Sequence, residues 1–366
     1  MSIKFMSRLT KFVVLLCLLT LILAGCSKSP AVVVPPNAPT PASESDVYWP
    51  TEGWRTSTPE EQGMDSQMLA GMVDEINERK MKVHSLLVIR NGYLVSETYF
   101  DDFQPDTRHH LQSVTKSFIS TLIGIAIDQG YLTGADQRVV DLFPESAIAN
   151  LDNQKQDMTL EDLLTMRSGL DCQEGDIDYQ AITKSPDGAK YMLDKPMIET
   201  PGSRWNYCSG GYHVLSAIIQ QSTGKNALDF AEQNLFKPLG ISNVVWPADK
   251  AGNSTGGWGL QLTPRDMAKL GYLYLRGGQW EGQQIVSSEW VEAATQSYAD
   301  VDEHFGYGYH WFTAPALAGY AALGNYGQII LVIPESDLVI VTTANTEESI
   351  FELIEQYVLP SVQKSR

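Results

Sequence analysis

Residues 85–100 read SLLVIRNGYLVSETYF, two β-prone runs on either side of Asn91-Gly92. An Asn-Gly pair between such runs is the strongest short signal for a β-hairpin. Residues 112–129 follow as an evenly apolar stretch that ends before a glycine. That pattern predicts one helix, buried on most of its sides. The segment therefore predicts a sheet hairpin followed directly by a buried helix.

The rest of the chain divides into a helical middle and a β-rich end. Residues 139–296 show helix starts and loops, and residues 347–362 predict a closing helix. The predicted late strands are Tyr307–Thr313, Gly319–Leu323, Gln328–Ile333 and Leu338–Thr343. Strands at both ends of a chain imply one sheet built from distant segments. We expect an α+β fold: an antiparallel β-sheet flanked by helices, with an inserted, mainly helical domain at about 139–296 and a ligand cleft between the two parts.

The first 26 residues form a separate unit. Basic residues open it, and residues 12–24 form an apolar run that is too short to span a bilayer but suits a signal peptide. The run ends in Leu-Ala-Gly-Cys26, which is typical of a lipobox, the site where a cysteine receives a diacylglyceryl group before cleavage ahead of it. We predict a lipoprotein signal peptide with lipidation at Cys26. An uncleaved N-terminal anchor helix is the alternative.

The remaining chain predicts a tether and one globular part. Residues 27–46 are rich in Pro, Ala and Ser and predict a flexible tether, whereas residues 47–366 are enough for a sizeable core. These features predict a protein exported and lipid-anchored to the membrane of a bacterial cell envelope. Beyond residue 26, 23 basic residues stand against 44 acidic ones, a net charge of −21, which argues against nucleic acid as a partner. The histidines show no metal-ligand spacing, and neither a metal nor another cofactor is predicted.

Four cysteines are present. Cys17 would leave with the signal peptide and Cys26 would carry the lipid, so Cys172 and Cys208 remain as an even pair. In an exported protein such a pair favours a disulfide. Two buried thiols are the alternative.

Ser113-Val-Thr-Lys116 is the first motif with catalytic chemistry. On a helix, positions i and i+3 share a face, so the lysine amine reaches the serine hydroxyl. A lysine whose pKa is lowered by burial can take the proton of a serine nucleophile. A serine at a helix start also places backbone N–H groups, its own included, toward a developing oxyanion.

The same four-residue pattern occurs twice more, at Ser222–Lys225 and Ser361–Lys364. A glycine marks the first of these as a helix end, and the second lies in the C-terminal tail. Only Ser113 opens a long apolar helix directly after the hairpin, so we expect Ser113 to be the nucleophile.

A second candidate motif is Tyr207-Cys208-Ser209, in a glycine-bearing loop. The Tyr207 phenol could share a proton with Lys116 and pass it to a leaving group. An ordinary packing role for Tyr207 is equally open on the sequence alone.

Together, in this order, the Ser113 motif, the Tyr207 motif and a glycine-bearing strand near Gly324 resemble class C β-lactamases and their esterase relatives. Three further stretches carry the same resemblance: residues 58–63, 160–170 and 258–266. The similarity covers roughly residues 58–362 and implies the β-lactamase/transpeptidase-like fold.

Two departures from the family pattern bear on substrate. Ser209 stands where the family usually has Asn, and no Lys or His occupies the family's cationic position near Ala322. The chain is closer in these motifs to the 6-aminohexanoate-dimer hydrolase and esterase-like branch. The missing cation removes the partner of a β-lactam carboxylate.

The resemblance also implies the remaining site residues. With Gly324 aligned to the motif glycine, the N–H of Asn325 becomes the second oxyanion donor beside that of Ser113. A register that uses Gly327 and Gln328 is the alternative. The predicted substrate-binding residues are Gln112, Ser209, Gly324 and Tyr326.

The sequence therefore predicts a serine hydrolase that acts through an acyl-enzyme on small esters or amides. The alternatives are a β-lactamase or a D-alanyl-D-alanine carboxypeptidase-like, penicillin-interacting enzyme. A catalytically silent envelope-binding lipoprotein is the alternative from another class.

Overall fold

A computed structural model describes residues 47–363. The predicted signal peptide, the lipidation site Cys26 and the tether at residues 27–46 lie outside this described part. Within residues 47–363, no helix is both long and apolar enough to cross a membrane.

An eight-stranded antiparallel sheet forms the centre of the fold. Its order is β2-β1-β12-β11-β10-β9-β8-β7, where the strands are β1 Val83–Arg90, β2 Tyr93–Tyr99, β7 Ala299–Asp300, β8 Gly306–Tyr307, β9 Phe312–Ala314, β10 Gly319–Gly324, β11 Gln328–Ile333 and β12 Leu338–Ala344. Two-stranded ribbons pair β3 His109–His110 with β4 Gln261–Leu262, and β5 Gln279–Trp280 with β6 Gln283–Gln284. Since β1 pairs with β12, the two ends of the domain share one sheet, and the predicted α+β fold class is confirmed.

Helices cover both faces of the sheet and fill most of the chain between β3 and β7. The α-helices are α1 Ser66–Glu78, α2 Thr115–Asp128, α3 Asn153–Asp157, α4 Leu160–Leu164, α5 Asp176–Lys184, α6 Gly188–Leu193, α7 Ser209–Thr223, α8 Ala227–Ala231, α9 Pro264–Leu275, α10 Ser288–Thr295, α11 Ile350–Leu353 and α12 Leu359–Ser361. A π-helical turn, Ile354–Val358, joins α11 to α12, so the predicted closing helix is a run of three short segments.

Alternate residues of the strands enter two hydrophobic cores, as the period of two along a strand requires. On β1, Leu87 and Ile89 join the core that contains α2 and the helical region. Leu86 and Val88 join the core formed with α1 and the C-terminal helices. The sheet is therefore buried on both faces along β1.

The hairpin and the buried helix are both present, with one change in the helix. Asn91 and Gly92 have φ angles of 54° and 74°, the left-handed pair that a two-residue hairpin turn requires. Residues 112–129, predicted as one helix, divide into a 3₁₀ turn, Gln112–Val114, and helix α2. Gln112 has a φ of 51°, which a regular right-handed helix does not accommodate.

The strand predicted at Tyr307–Thr313 is instead a hairpin. β8 and β9 pair with each other, and the Gly308 N–H donates to the carbonyl of Trp311 at 2.8 Å across the turn between them. The turn residue His310 has a φ of 58°, a conformation that interrupts an extended strand.

Candidate active site

Ser113 and Lys116 lie together where the 3₁₀ turn meets α2. The Lys116 Nζ donates to the Ser113 Oγ at 2.8 Å and to the carbonyl of Gly257 at 2.7 Å. Lys116 is completely buried. That burial lowers the pKa of its amine to about 7, against the opposing charge of Glu174. A substantial fraction of the amine is therefore neutral near pH 7 and able to accept a proton.

Tyr207 lies beside Ser113 and Lys116. Its ring centroid is 4.8 Å from the Lys116 Nζ. Burial of the phenol raises its pKa well above the ordinary value, and a hydrogen bond with the Ser113 side chain opposes that rise. At neutral pH the phenol is therefore protonated while Lys116 is partly neutral. In this arrangement the Lys116 amine is chemically able to accept a proton, and the Tyr207 phenol is able to donate one.

The predicted disulfide joins two segments of the site. Cys172 and Cys208 are bonded, with a Cα–Cα distance of 5.8 Å. Cys208 lies between Tyr207 and Ser209, so the bond ties the loop at Cys172 to the tyrosine segment.

Ser209 contacts an acid that the sequence analysis missed. The Ser209 Oγ donates to Glu174 Oε1 at 2.7 Å, and the Ser209 N–H donates to Glu174 Oε2 at 2.8 Å. The hydroxyl proton is thus directed at an internal carboxylate, so binding of a substrate by Ser209 remains a prediction. The sequence offered one indication of Glu174, its position two residues after Cys172.

Gly324 faces the start of the nucleophile segment. A Cβ at this position would lie 2.5 Å from the carbonyl oxygen of Leu111 and 3.1 Å from the Gln112 Cβ, so no side chain fits there. A Cβ at Gly327 would instead meet the side chains of Ile350 and Ala344. The close approach favours the register in which Gly324 is the motif glycine.

The turn after Gly324 carries the other predicted residues of this strand. Asn325 follows Gly324 directly, and its carbonyl accepts from Gln328 Nε2 at 3.2 Å. Tyr326 is 47% exposed and has a φ of 65°. The oxyanion role of the Asn325 N–H and the substrate contacts of Gln112 and Tyr326 stay predictions.

A second residue missed by the sequence analysis is His310. It is completely buried, and its Nδ1 lies 2.6 Å from the Tyr307 hydroxyl. Burial, and then the charge of Lys116, lower the pKa of His310 well below the ordinary value. The imidazole is therefore neutral at physiological pH.

Of the two other Ser-x-x-Lys matches, the one that lies wholly within residues 47–363, Ser222–Lys225, forms no comparable pair. The Ser222 Oγ donates to helix carbonyls at Ile218 and Ile219, and the Lys225 Nζ donates to Gln233. The Ser361 Oγ donates to the Val358 carbonyl, and Lys364 lies outside the described residues.

The chain is similar to known proteins over most of its length. A family model described as Beta-lactamase matches residues 60–359. The 6-aminohexanoate-dimer hydrolase of Paenarthrobacter ureafaciens is 27% identical over 313 residues, which cover 78% of this chain and 79% of that protein. An octameric penicillin-binding protein homologue from Pyrococcus abyssi has a TM-score of 0.66 at 21% identity and covers 81% of this chain and 78% of its own. A family VIII carboxylesterase has a TM-score of 0.67 at 16% identity, with coverages of 83% and 98%.

The first prediction concerns the nucleophile. Ser113→Ala should abolish covalent labelling by a fluorophosphonate probe, because the Ser113 Oγ lies 2.8 Å from the fully buried Lys116 amine. Ser222→Ala is the matched control and should label as the wild type does. Labelling that persists in Ser113→Ala, measured by intact-protein mass spectrometry, would show that another residue is the nucleophile.

The second prediction concerns the base. With Lys116 active as the neutral amine and a pKa of about 7, the rate of labelling should rise with pH and level off above a midpoint near that value. Lys116→Arg should lose about a hundredfold or more in rate, because a guanidinium stays protonated at working pH.

Lys225→Arg is the control for the second prediction, because the Lys225 amine contacts Gln233 and not Ser222. This variant should behave as the wild type. A rate independent of pH, or near-normal labelling of Lys116→Arg, would contradict the role of the amine.

Proposed function

The chain belongs to the beta-lactamase family, and from this membership and the geometry of the site we propose that it is a serine hydrolase that cleaves small esters or amides through an acyl-enzyme. The observation that carries the proposal is the fully buried Lys116 amine, 2.8 Å from the Ser113 Oγ. A serine hydroxyl is a weak nucleophile until a base accepts its proton. A partly neutral amine at hydrogen-bond distance meets that requirement without a cofactor.

In the proposed first step, neutral Lys116 takes the proton of Ser113 as the Oγ attacks the substrate carbonyl carbon. The backbone N–H groups of Ser113 and Asn325 hold the resulting oxyanion. Tyr207 gives its proton to the leaving alcohol or amine and regains one from Lys116. The carbonyl then re-forms, the bond to the leaving group breaks, and an ester of Ser113 remains.

In the second step, a water molecule replaces the leaving group. It gives a proton to the same relay and attacks the acyl carbon. The bond to the Ser113 Oγ breaks, the oxygen recovers its proton, and a carboxylic acid leaves. The same two oxyanion donors serve both steps, which is why one rigid arrangement suffices.

The charges around the site favour a substrate without a carboxylate near the reacting carbonyl. Strand β10 reads GYAALG and has no basic residue, so a β-lactam carboxylate would have no cation on it to pair with. The name of the Paenarthrobacter relative specifies a hydrolase of the 6-aminohexanoate dimer, and that of one structural neighbour a carboxylesterase. Both names support esters and amides as the class.

The third prediction tests this class. Short-chain 4-nitrophenyl esters should be turned over measurably by the wild type, a cephalosporin poorly, and Ser113→Ala should hydrolyse none of them. Amide-linked oligomers in the same panel decide between ester and amide. A cephalosporin hydrolysed faster than every ester would contradict the proposal and support the β-lactamase alternative.

We further propose that the enzyme is a lipoprotein, exported and tethered to the cell envelope through Cys26 and the segment 27–46. The support is the sequence Leu-Ala-Gly-Cys26 after an apolar run. A diacylated cysteine provides two chains, which anchor stably where one does not.

The fourth prediction tests the tether. Cys26→Ser should remove the lipid, so that the protein leaves the membrane fraction or is processed incorrectly. Cys17→Ser is the matched control and should fractionate as the wild type does. Unchanged membrane association of Cys26→Ser would favour an uncleaved anchor helix.

A further inference from the structure

The Glu174 carboxylate occupies the N-terminus of α7, directly beside the tyrosine segment. Both of its oxygens are engaged: Oε2 by the Ser209 N–H, and Oε1 by the Ser209 hydroxyl and by the Tyr179 hydroxyl. The N–H groups and the positive end of the dipole of this fifteen-residue helix favour an anion there. The acid therefore holds the first residue of α7 through backbone and side chain at once.

A second link joins the same two segments. The disulfide from Cys172 to Cys208 lies immediately beside the contact between Glu174 and Ser209. The loop is also fixed on its other side, where the Gln173 N–H donates to Asp178 at 2.8 Å. Two neighbouring interactions, the disulfide and the hydrogen bonds to the Glu174 carboxylate, thus restrain the chain next to Tyr207.

We propose that Glu174 is a positioning residue for proton transfer, which holds the segment of Tyr207 against Lys116 and supplies a negative charge beside their proton relay. The inference rests on the proposed function of Ser113, Lys116 and Tyr207. Proton transfer tolerates little misplacement of donor and acceptor, and Tyr207 is two residues from the contact that Glu174 makes.

Among residues 47–363, Glu174 is the charged group that acts on the pKa of Lys116. Ser113 and the Gly257 carbonyl contact the amine, and the neutral His310 and the protonated Tyr207 stand beside it. Glu174 raises the pKa of Lys116 against the larger effect of burial. Burial above all, and Glu174 in addition, raise the pKa values of Tyr207 and Tyr307, so both phenols stay protonated.

Removal of the Glu174 charge should change the pKa of Lys116 in one direction. In Glu174→Gln the pKa of Lys116 should fall further, because burial then acts without opposition. The amine becomes neutral at lower pH, so the acidic midpoint of the fluorophosphonate labelling rate should move to lower pH. Looser placement of Tyr207 should at the same time reduce kcat for 4-nitrophenyl butyrate by roughly tenfold, with little change in KM.

Two companion variants separate charge from placement. Glu174→Asp keeps the charge on a shorter side chain and should lower kcat with a midpoint close to that of the wild type. Asp171→Asn removes a charge from the same loop, and Asp171 is not among the groups that shift the pKa of Lys116, so it should change neither quantity. Thermal unfolding of each variant verifies that it is folded.

The outcome stated for Glu174→Gln is the fifth prediction. It fails if this variant keeps the wild-type midpoint of the labelling rate, or if Asp171→Asn shifts that midpoint equally. Should Glu174→Gln not fold, Glu174→Asp tests the placement: an unchanged kcat would overturn the inference, and a reduced kcat with a midpoint close to that of the wild type would support it. Wild-type protein that the probe does not label at Ser113 would instead overturn the proposed function, so the two failures are distinguishable.

Discussion

The desolvation of one amine is the constraint on which the site depends. An amine removed from water must be given acceptors, and Lys116 has two, the Ser113 hydroxyl and the Gly257 carbonyl. Complete burial requires that α2 be covered all round, and every residue from Thr115 to Ala126 is buried. The sheet and the helical region together provide that cover. The fold is thus the means by which a lysine acquires a pKa of about 7.

Backbone strain is found around the same amine. Gln112, His310 and Tyr326 have φ angles of 51°, 58° and 65°, conformations that cost about 1 to 3 kcal/mol each at sparsely populated positions and persist only where neighbours hold them. Gln112 begins the nucleophile segment, and Tyr326 turns the chain just after Gly324. His310 contributes its carbonyl to the Ser117 hydroxyl at 2.9 Å on α2. Each strained residue therefore joins the nucleophile helix or the strand that faces it.

The sequence allowed the prediction of those features that depend on near neighbours. The hairpin at Asn91-Gly92 follows from turn chemistry, the reach of Lys116 to Ser113 from helix periodicity, and the disulfide from the count of cysteines. The missed residues depend on tertiary packing. Gly257 meets Lys116 across 141 positions and Glu174 meets Ser209 across 35, and no local pattern specifies either pair. His310 was missed because residues 307–313 have the β-propensity of one strand, whereas the structure bends them into a hairpin.

The departures from the family pattern at Ser209 and near Ala322 have one electrostatic meaning. The N–H and the hydroxyl of Ser209 both donate to Glu174. Strand β10, which contains Ala322, carries no cation. The chain thus has a carboxylate beside the tyrosine segment, and strand β10 offers no basic partner for a substrate anion. A substrate with its own carboxylate at this point would meet like charge and lose hydration without compensation. Under the proposed function a neutral ester or amide would meet neither penalty, so the contact by which we propose that Glu174 positions Tyr207 would also disfavour anionic substrates.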